Sequence, residues 1–403
     1  MAVFVDTIKK VLSMAKAKPR VQSNWLAALL LLIIPLTVYT LLYLAPLGSI
    51  VSLSVDNGEL SSRFPHLSEA ISSGNRDEKA KAFLIDIAAM DTRGQGETAR
   101  LLNQEFAGFR SLFLNTVRNV DKIEPSWQGL TAFDGKWNDD KYWRIVENNA
   151  SRFTGRYFQK ATGLSLTSGG NISTDDDVYV QIMLRTLLIS MQVTLLTLVI
   201  GYPLAYAVAN GGPRLGNFVL TVILLSFWTS ILVRTTAWVV LLQTNGIVNN
   251  FLIWLGIISQ PLQLIFNRFG TLVAMTHVLL PFAIIPMMNV MRTIPRSQSD
   301  ASRSLGAGGI ETFLRVYFPQ STRGVAVGGG TVFILALGFY VTPALTGGPG
   351  DQMLSFYIAD FIKRSLNWGM ASALSVMLLG GLLVLLSFYG AVRWLATNKR
   401  SAA

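Results

Sequence analysis

Six long apolar stretches constrain the possible fold of this chain more than any other feature. A helix needs about 20 apolar residues to cross a hydrocarbon layer of about 30 Å, and lipid offers no partner for an unpaired backbone polar group. The composition agrees, because 51% of the 403 residues are hydrophobic and only 14% are charged. We therefore predict an all-α membrane protein with six transmembrane helices. The stretches are residues 25–46, 181–209, 217–242, 270–291, 323–345 and 370–395.

Basic residues in the short connections predict the orientation of these helices, because Lys and Arg close to a span tend to stay in the cytoplasm. Residues 1–24 contain five of them, and the connection after residue 291 is rich in arginine. The first apolar stretch is longer than the 7–15 apolar residues of a signal peptide, so we expect it to be retained. Both termini are then cytoplasmic: residues 1–24 form the N-terminal segment, residues 25–46 the first transmembrane helix and residues 397–403 the tail.

Residues 47–180 have a different composition and are predicted to form an extracytoplasmic insertion domain. They contain 15 Lys and Arg against 18 Asp and Glu, whereas the whole chain has a net charge of +11. The basic excess therefore lies in the apolar part, which argues against a nucleic-acid partner. Apolar residues three and four apart across 101–120 predict one amphipathic helix, and the pattern returns more weakly from Trp143 to Tyr157. We interpret these side chains as the core of a mainly helical domain rather than as ligand contacts.

Several kinds of chemistry are excluded by residues that the chain lacks. It has no cysteine and only two histidines, His66 and His277, which excludes disulfides, thiol nucleophiles and zinc sites built from Cys and His. It also lacks the G-x-x-x-x-G-K-[ST] phosphate loop. We predict no catalytic residue, no metal site and no cofactor bound by this chain.

The cytoplasmic connection at residues 292–322 has the pattern of two short helices around a glycine turn. Pro295 suits the first turn of a helix, Gly306 to Gly309 supply the break, and Pro319 is expected to close the second helix, which begins near Ile310. Such a compact unit would fit a cleft on a cytoplasmic partner. The alternative is an amphipathic loop that lies on the membrane surface.

Within this connection the residues Asp300-Ala301-Ser302, Gly306-Ala307, Phe313 and Phe318-Pro319 resemble the Glu-Ala-Ala loop of membrane subunits of bacterial ABC importers. The sequence departs from that pattern, since Asp300 replaces Glu and Ser302 replaces the second Ala. Further segments resemble the spermidine/putrescine permease branch over about residues 180–396. These segments are Phe227 to Trp238, Leu280-Pro281-Phe282, Gly338 to Pro343 with Gly347-Gly348, and Asn367 to Ser375.

The resemblance implies the permease subunit of a type I importer in the bacterial inner membrane, with a five-helix core at residues 181–396. It implies two ATPase subunits that hold ATP and Mg, a second permease subunit that is commonly a different chain, an extracytoplasmic solute-binding protein, and membrane lipid around the helices. The transported solute would be a polyamine or a related compound. A comparable outer insertion occurs in the larger membrane subunit of maltose importers, where it engages the binding protein. The residues that would couple this chain to the ATPase are Asp300, Ala301, Leu305, Gly306, Ala307, Phe313 and Pro319.

Four residues in or near the apolar stretches are candidates for a gate or for the translocation path: Arg234, Trp238, His277 and Tyr340. An arginine at the centre of a membrane helix costs about 2.5–3.5 kcal/mol on insertion scales, so Arg234 needs a partner. Asp351 or Asp360 in the last outer loop is one candidate; snorkelling to the outer interface, or contact with an anionic part of the solute, are the others. Trp238 also suits a membrane-interface aromatic, and His277 also suits a hydrogen-bonded bundle residue.

Two other classes of membrane protein remain as alternatives. A receptor would present residues 47–180 outside the cell, but it needs a cytoplasmic output domain. A secondary transporter would usually need carboxylates within its spans, and the six stretches contain none. Co-purification with an ATPase distinguishes the importer from both.

Overall fold

A computed structural model describes residues 25–166, 172–174 and 177–401. The chain divides into two compact units, with the boundary between Ser52 and Leu53. Within these described residues, six helical stretches are long and apolar enough to cross a membrane, which confirms the predicted fold class. The cytoplasmic segment predicted at residues 1–24 and the last residues of the predicted tail, 402–403, lie outside the described part.

The first unit is helical and extends beyond the predicted end of the first span. Helix α1 (Trp25–Tyr39) passes through a π-helical turn (Thr40–Leu44) into α2 (Ala45–Leu53). The wide turn ends two residues before Pro46, whose missing N–H leaves an ordinary helical hydrogen bond unmade. The prediction ended this helix at residue 46, and the structure continues it by seven residues.

The insertion is mainly helical, as predicted, and its helices surround an aromatic core. They are α3 (Gly58–Ser61), α4 (Pro65–Ala70), α5 (Arg76–Ala89), α6 (Thr92–Glu105), α7 (Phe109–Arg118), α8 (Trp127–Phe133), α9 (Asp140–Ala150) and α10 (Arg156–Thr162). Phe83 lies at the centre of the core, with edge-on contacts to Trp137 and Trp143 at 5.3 and 5.9 Å between ring centroids. The interpretation of these aromatics as core is therefore confirmed.

The prediction of a single amphipathic helix across residues 101–120 is wrong, because two helices, α6 and α7, divide this segment. Gly108 adopts φ +93°, a left-handed conformation that ends α6 and starts α7. The break turns Phe106 outward, although the apolar spacing placed it on the buried face. Phe153 is also exposed, whereas Trp143, Val146 and Ala150 are buried as expected.

A small β-hairpin lies near the C-terminal end of the insertion and was not expected from the sequence. Strand β1 (Leu164–Leu166) pairs antiparallel with β2 (Ile172–Thr174), with Ser165 opposite Ser173. The hairpin directly precedes the first helix of the membrane core.

The membrane core contains both long and interrupted helices. They are α11 (Val178–Asn210), α12 (Pro213–Trp228), α13 (Ile231–Leu242), α14 (Ile247–Trp254), α15 (Arg268–Arg292), α16 (Arg296–Ser304), α17 (Gly309–Thr312), α18 (Phe318–Gly338), α19 (Val341–Thr346), α20 (Leu354–Asp360) and α21 (Trp368–Ser401). Short 3₁₀ turns occur at Ile71–Ser73, Val120–Lys122, Gly135–Asn138 and Pro349–Asp351, and π-helical turns at Phe313–Tyr317 and Phe361–Ser365.

The third predicted span, residues 217–242, is broken. Thr229 and Ser230 are extended, with ψ near 140°, and separate α12 from α13. The Thr229 hydroxyl donates to the Ser226 carbonyl at 2.7 Å, and Ser230 is the N-cap residue of α13. Hydroxyl side chains of this kind compete with helical hydrogen bonds, which an apolar count does not register.

The fifth predicted span, residues 323–345, also differs at both ends. The helical path begins at Gly309, and α18 stops at Gly338, with α19 as a separate short helix. Pro319 does not close the preceding helix, because it lies in the first turn of α18, where its missing N–H is tolerated. The π-helical turn at Phe313–Tyr317 carries the chain into that proline.

Three helices, α11, α15 and α18, form the centre of the membrane core. Their shared cluster includes Ile189, Met275, Met287 and Val332, all buried. Small residues permit the close packing: a Cβ added to Gly328 would lie 2.8 Å from the carbonyl oxygen of Ala283 on α15. Close approach at glycine is typical of helix interfaces in membranes.

Candidate coupling and translocation sites

The two short helices around the glycine turn are present, and we call residues 296–312 the coupling knob. Helix α16 ends in a Schellman motif: Gly306 N donates to the Arg303 carbonyl at 2.9 Å and Ala307 N to the Ser302 carbonyl at 3.2 Å. Gly306 has φ +91°, so a side chain there strains the turn. The hydroxyls of Ser302 and Thr312 lie 3.2 Å apart and connect α16 to α17.

The knob presents an apolar surface that nothing within the described chain covers. Leu305 is 89% exposed and Ile310 is 79% exposed. Asp300, Ala301 and Gly306 lie beside them at or near the surface, while Ala307 and Phe313 are half-buried against the base of the knob. Pro319, the last of the predicted coupling residues, is exposed at the start of α18 and lies outside this surface.

Arg234 is buried, with 8% of its surface exposed, and the carboxylates proposed as its partners are engaged elsewhere. Asp351 pairs with Arg268 and Asp360 pairs with Arg364, so the predicted ion pair is wrong. Arg234 Nη1 instead faces the Val278 carbonyl at 3.4 Å. Val278 lies on α15, three residues before Pro281. The burial also excludes the snorkelling alternative for this conformation.

Of the other three candidates for the translocation path, Trp238 and His277 lie close to Arg234. Tyr340 contacts neither of them. The Trp238 and His277 rings meet edge-on at 5.7 Å between centroids, which joins α13 to α15. His277 also lines an apolar cavity of about 280 Å³ between α11, α12 and α15, together with Leu280 and Pro281. Tyr340 instead accepts from Lys363 Nζ at 3.2 Å, in the turn that precedes α21.

The ion pair of Arg268 with Asp351 is a feature that the sequence interpretation missed. Arg268 Nε lies 2.7 Å from Asp351 Oδ1, and Gly348 N donates to the other carboxylate oxygen at 3.2 Å. The pair connects the start of α15 to the loop before α20. The orientation predicted from the sequence puts Arg268 and Asp351 in loops on the same side of the membrane. That shared location is the feature of the sequence from which the pair could have been predicted.

We expect a double-mutant cycle on Arg268→Gln and Asp351→Asn to give a coupling of about 0.5–3 kcal/mol in detergent stability, the usual range for residues in contact. The matched cycle on Arg234→Gln and Asp351→Asn should be additive, because those side chains make no ion pair. Thermal unfolding of the five variants, three single and two double, and of the wild type measures both couplings. Coupling in the second cycle, with additivity in the first, would reverse the assignment.

The insertion joins the N-terminal end of α21 through a ring packed on a glycine. The tip of the Tyr157 ring occupies the place where a Cβ on Gly369 would lie, so only glycine fits there. Arg100 Nη1 and Gln104 Nε2 on α6 both donate to the Ser365 carbonyl, at 3.1 and 2.8 Å. These contacts join the insertion to the start of α21 and to the turn before it.

Arg156 holds the base of the insertion together beside this joint. Its guanidinium donates to Asn149 and to Asn57 Oδ1 at 3.0 Å, and an ion pair with Glu105 spans 3.5 Å. The neighbouring backbone segments are also paired, since Asn57 N donates to the Arg152 carbonyl at 2.7 Å. The two chain segments that flank residues 58–151 therefore lie next to each other.

A polar groove of about 650 Å³ on the insertion is lined by paired charges. Hydrogen bonds from Arg63 and Arg93 lower the pKa of Glu97 below its ordinary value. A lowered carboxyl pKa favours the folded state at neutral pH, and this contribution disappears as the pH falls through the folded-state pKa. Asp86 is buried and accepts from His66 N and Leu67 N, which is a structural role at the start of α4.

Comparison with known proteins places the membrane core in a family. Residues 198–400 match the family of binding-protein-dependent transport system inner membrane components. The spermidine/putrescine transport system permease protein PotB of Escherichia coli strain K12 is 28% identical over 212 residues, 52% of this chain and 77% of that protein. PotB of Haemophilus influenzae is 30% identical over 210 residues, 52% and 72% of the two chains. The inner membrane ABC transporter permease protein YdcU of Escherichia coli strain K12 is 31% identical over 183 residues, 42% and 58%.

The matched residues include the whole coupling knob and every path candidate, whereas the insertion lies outside them. A bacterial ABC transporter involved in the import of alginate has a similar crystal structure, with a TM-score of 0.45 and 15% identity, covering 70% of this chain and 98% of that one. The resemblance to importer permeases drawn from the knob motif is confirmed by the family match. This chain belongs to the family of binding-protein-dependent transport system inner membrane components.

Proposed function

We propose that this chain is the permease subunit of an ABC importer and forms part of the translocation path for a small solute. It carries no catalytic residue, and ATP with Mg is bound and hydrolysed by separate ATPase subunits. The observation that carries the proposal is the coupling knob, which lies within the family match and presents Leu305 and Ile310 to solvent. Large exposed apolar side chains on an ordered polar loop are typical of a protein interface. The experiment is isolation of the chain through an affinity tag and identification of an ATPase subunit bound to it.

The proposed assembly contains a second permease subunit, which is a different chain, two ATPase subunits and an extracytoplasmic solute-binding protein. The chain lies in the bacterial inner membrane with both termini and the knob in the cytoplasm and the insertion outside. The arginine-rich connection around the knob supports this orientation, because basic residues tend to remain on the cytoplasmic side. Accessibility of a single introduced cysteine to a membrane-impermeant reagent tests it, since the natural chain contains no cysteine.

The proposed solute is a polyamine or a related compound, a proposal supported by the spermidine/putrescine permeases among the relatives. The helices that cross the membrane between residues 178 and 292 carry no carboxylate that would bind a polycation. Selection for such a solute would then rest mainly on the separate binding protein. Calorimetry of spermidine and putrescine with that binding protein measures this part of the proposal.

The insertion is proposed to dock or orient the solute-binding protein, because it lies on the face that the binding protein approaches. The backbone of Val55 to Asn57 pairs with that of Arg152 to Thr154. This pairing can be kept while residues 58–151 are replaced by a short Gly/Ser turn, which gives a clean test.

We expect this variant to insert and to bind the ATPase normally but to lose most of the stimulation of ATP hydrolysis by solute-loaded binding protein. The knob lies at the opposite end of the membrane helices and is unchanged by the replacement. Hydrolysis by the purified complex, with and without binding protein, is the measurement. The matched control replaces Arg100 and Gln104 with Ala in the intact insertion. Full stimulation in the shortened variant would contradict a docking role.

A further inference from the structure

Five aromatic side chains join the coupling knob to the cytoplasmic end of α11, and the proposed coupling role does not account for them. They are Tyr202, Tyr206, Phe313, Tyr317 and Phe318, and we call them the aromatic joint. Tyr206 meets Tyr317 at 5.1 Å and Phe313 at 5.9 Å between ring centroids, both edge-on. Tyr202 meets Phe318 at 5.7 Å and Phe313 at 6.2 Å.

The π-helical turn after the knob aligns these rings. In such a turn the hydrogen bond joins residues five apart, and Phe318 N donates to the Phe313 carbonyl. Phe313 and Phe318 therefore both reach Tyr202, whereas in an ordinary α-helix residues five apart lie on different faces. Turns of this kind occur frequently at functional sites.

Two polar contacts fix the rings in one arrangement. Asn210 Nδ2, at the last residue of α11, donates to the Tyr317 hydroxyl. The Tyr202 hydroxyl lies 2.8 Å from Ser321 Oγ on α18. Tyr317 is buried, with 6% of its surface exposed, and these bonds satisfy hydroxyls that would otherwise be costly to bury.

The joint is continuous with the knob on one side and the core on the other. Thr312 is buried, contacts Ser302 of α16 and directly precedes Phe313. Aromatic pairs in edge-on contact stabilise a structure beyond the area that they bury, so the ring contacts of the joint resist separation of the two elements.

We propose that the aromatic joint makes the knob and α11 move as one body, so that Tyr202, Tyr206, Tyr317 and Asn210 are positioning residues for the coupling of ATP hydrolysis to transport. The proposal rests on the proposed function of the knob. An element that transmits a movement has to be tied rigidly to the part that it moves, since a loose connection would absorb the displacement. The exposed face of the knob binds the ATPase, and the joint behind it carries the displacement into the helix at the centre of the core.

The test uses spin labels on the full chain in its complex, where the absence of natural cysteine gives a clean background. One pair joins the knob to α11, through Gln298→Cys and Val199→Cys, and a reference pair joins the knob to α21, through Gln298→Cys and Leu383→Cys. All three positions are exposed, and Gln298 lies outside the apolar surface of Leu305 and Ile310. A non-hydrolysable ATP analogue should change the reference distance and leave the knob-to-α11 distance unchanged. Equal changes in both pairs would overturn the proposal.

Joint variants then test the named residues. Tyr317→Phe removes only the bond to Asn210, and Tyr206→Leu removes one ring at a partly exposed position, so neither is expected to prevent folding. We expect each to broaden the knob-to-α11 distance distribution and to lower the ratio of transport to hydrolysis, with spermidine as the probe, by about 5- to 20-fold. Tyr389→Leu on α21 is the matched control and should change neither quantity. An unaltered distribution in both joint variants would overturn the proposal.

The outcome separates this proposal from the function on which it rests. ATPase binding reports the proposed function, and the nucleotide-free distance distribution reports the joint without any ATPase present. If the wild-type chain did not bind an ATPase subunit, the importer assignment would be contradicted. A narrow nucleotide-free distance distribution would still show that the joint is rigid.

Discussion

Leu305→Asp is expected to abolish binding of the ATPase subunit while leaving the membrane protein folded. The side chain is 89% exposed, so placing a carboxylate there costs the isolated chain little. In an assembled interface the same carboxylate would be buried without a partner, which costs several kcal/mol. We therefore expect the affinity for the ATPase subunit to fall by about 100-fold or more. Co-purification of the ATPase with the tagged chain measures the loss.

The matched control is Ile85→Asp, a large apolar residue exposed on the insertion, where a new charge should leave ATPase binding unchanged. Thermal unfolding of both variants in detergent should match the wild type. Normal ATPase recovery with Leu305→Asp would mean that the knob does not form the interface. This substitution is a sharper test than Gly306→Trp, because Gly306 has a left-handed backbone and a side chain there would strain the turn as well as block the surface.

Gly369→Val is expected to separate the insertion from the last membrane helix. A Cβ at this position meets the tip of the Tyr157 ring, which is buried and held by a hydrogen bond from Arg156 to its hydroxyl at 2.7 Å. The ring has to leave its place, so the variant should be less stable than its control by about 1–3 kcal/mol, as is usual for an overpacked core. Thermal unfolding in detergent gives the difference.

Gly380→Val is the control, since Gly380 lies in the same helix and a Cβ added there would have nothing within 4 Å. Both variants lose a glycine from the same helix, and only one creates the contact. Tyr157→Ala combined with Gly369→Val should recover part of the loss, which a double-mutant cycle measures. Equal stability of the two glycine variants would mean that the insertion is not seated on this helix as described.

The parts of the fold that follow from long apolar runs could be predicted from the sequence. The stretch at 181–209 is α11 and the stretch at 270–291 is α15, each within three residues at both ends. Such helices satisfy all their backbone groups internally, so length and hydrophobicity suffice to locate them. The glycine turn of the knob was also predictable, because Gly306 supplies the positive φ that the turn requires.

The breaks were not predictable from hydrophobicity because local hydrogen bonds and backbone conformation cause them. The helix expected at 217–242 stops where Thr229 bonds back to Ser226, and the helix expected across 101–120 stops at Gly108. The hydroxyl residue Thr229 and the glycine Gly108 are both visible in the sequence as residues that can end a helix. The apolar pattern continues past each of them, however, so a search for helical periodicity predicts one unbroken helix at both places. At Pro319 the sequence predicted the end of a helix, whereas the structure has the start of one. A proline is compatible with either, because it is tolerated in the first turn of a helix.

The partner of Arg234 could not be predicted because side-chain pairing depends on three-dimensional proximity. Charge and an outer-loop location singled out Asp351 and Asp360, yet nearer cations hold both. The aromatic joint was missed for a similar reason: Tyr202 and Tyr206 lie one helical turn apart on α11, but their partners follow more than 100 residues later.

The importer assignment is tested by measuring ATP hydrolysis and spermidine uptake with the complex isolated through a tag on this chain and reconstituted in vesicles with its binding protein. Spermidine and putrescine are the first probes, and the binding protein's own solute replaces them where calorimetry identifies a different one. We expect an ATPase subunit to co-purify, solute-loaded binding protein to stimulate its hydrolysis, and uptake to require ATP. Uptake by the chain without any ATPase subunit, or uptake driven by an ion gradient alone, would show that the chain is not an importer permease of this kind.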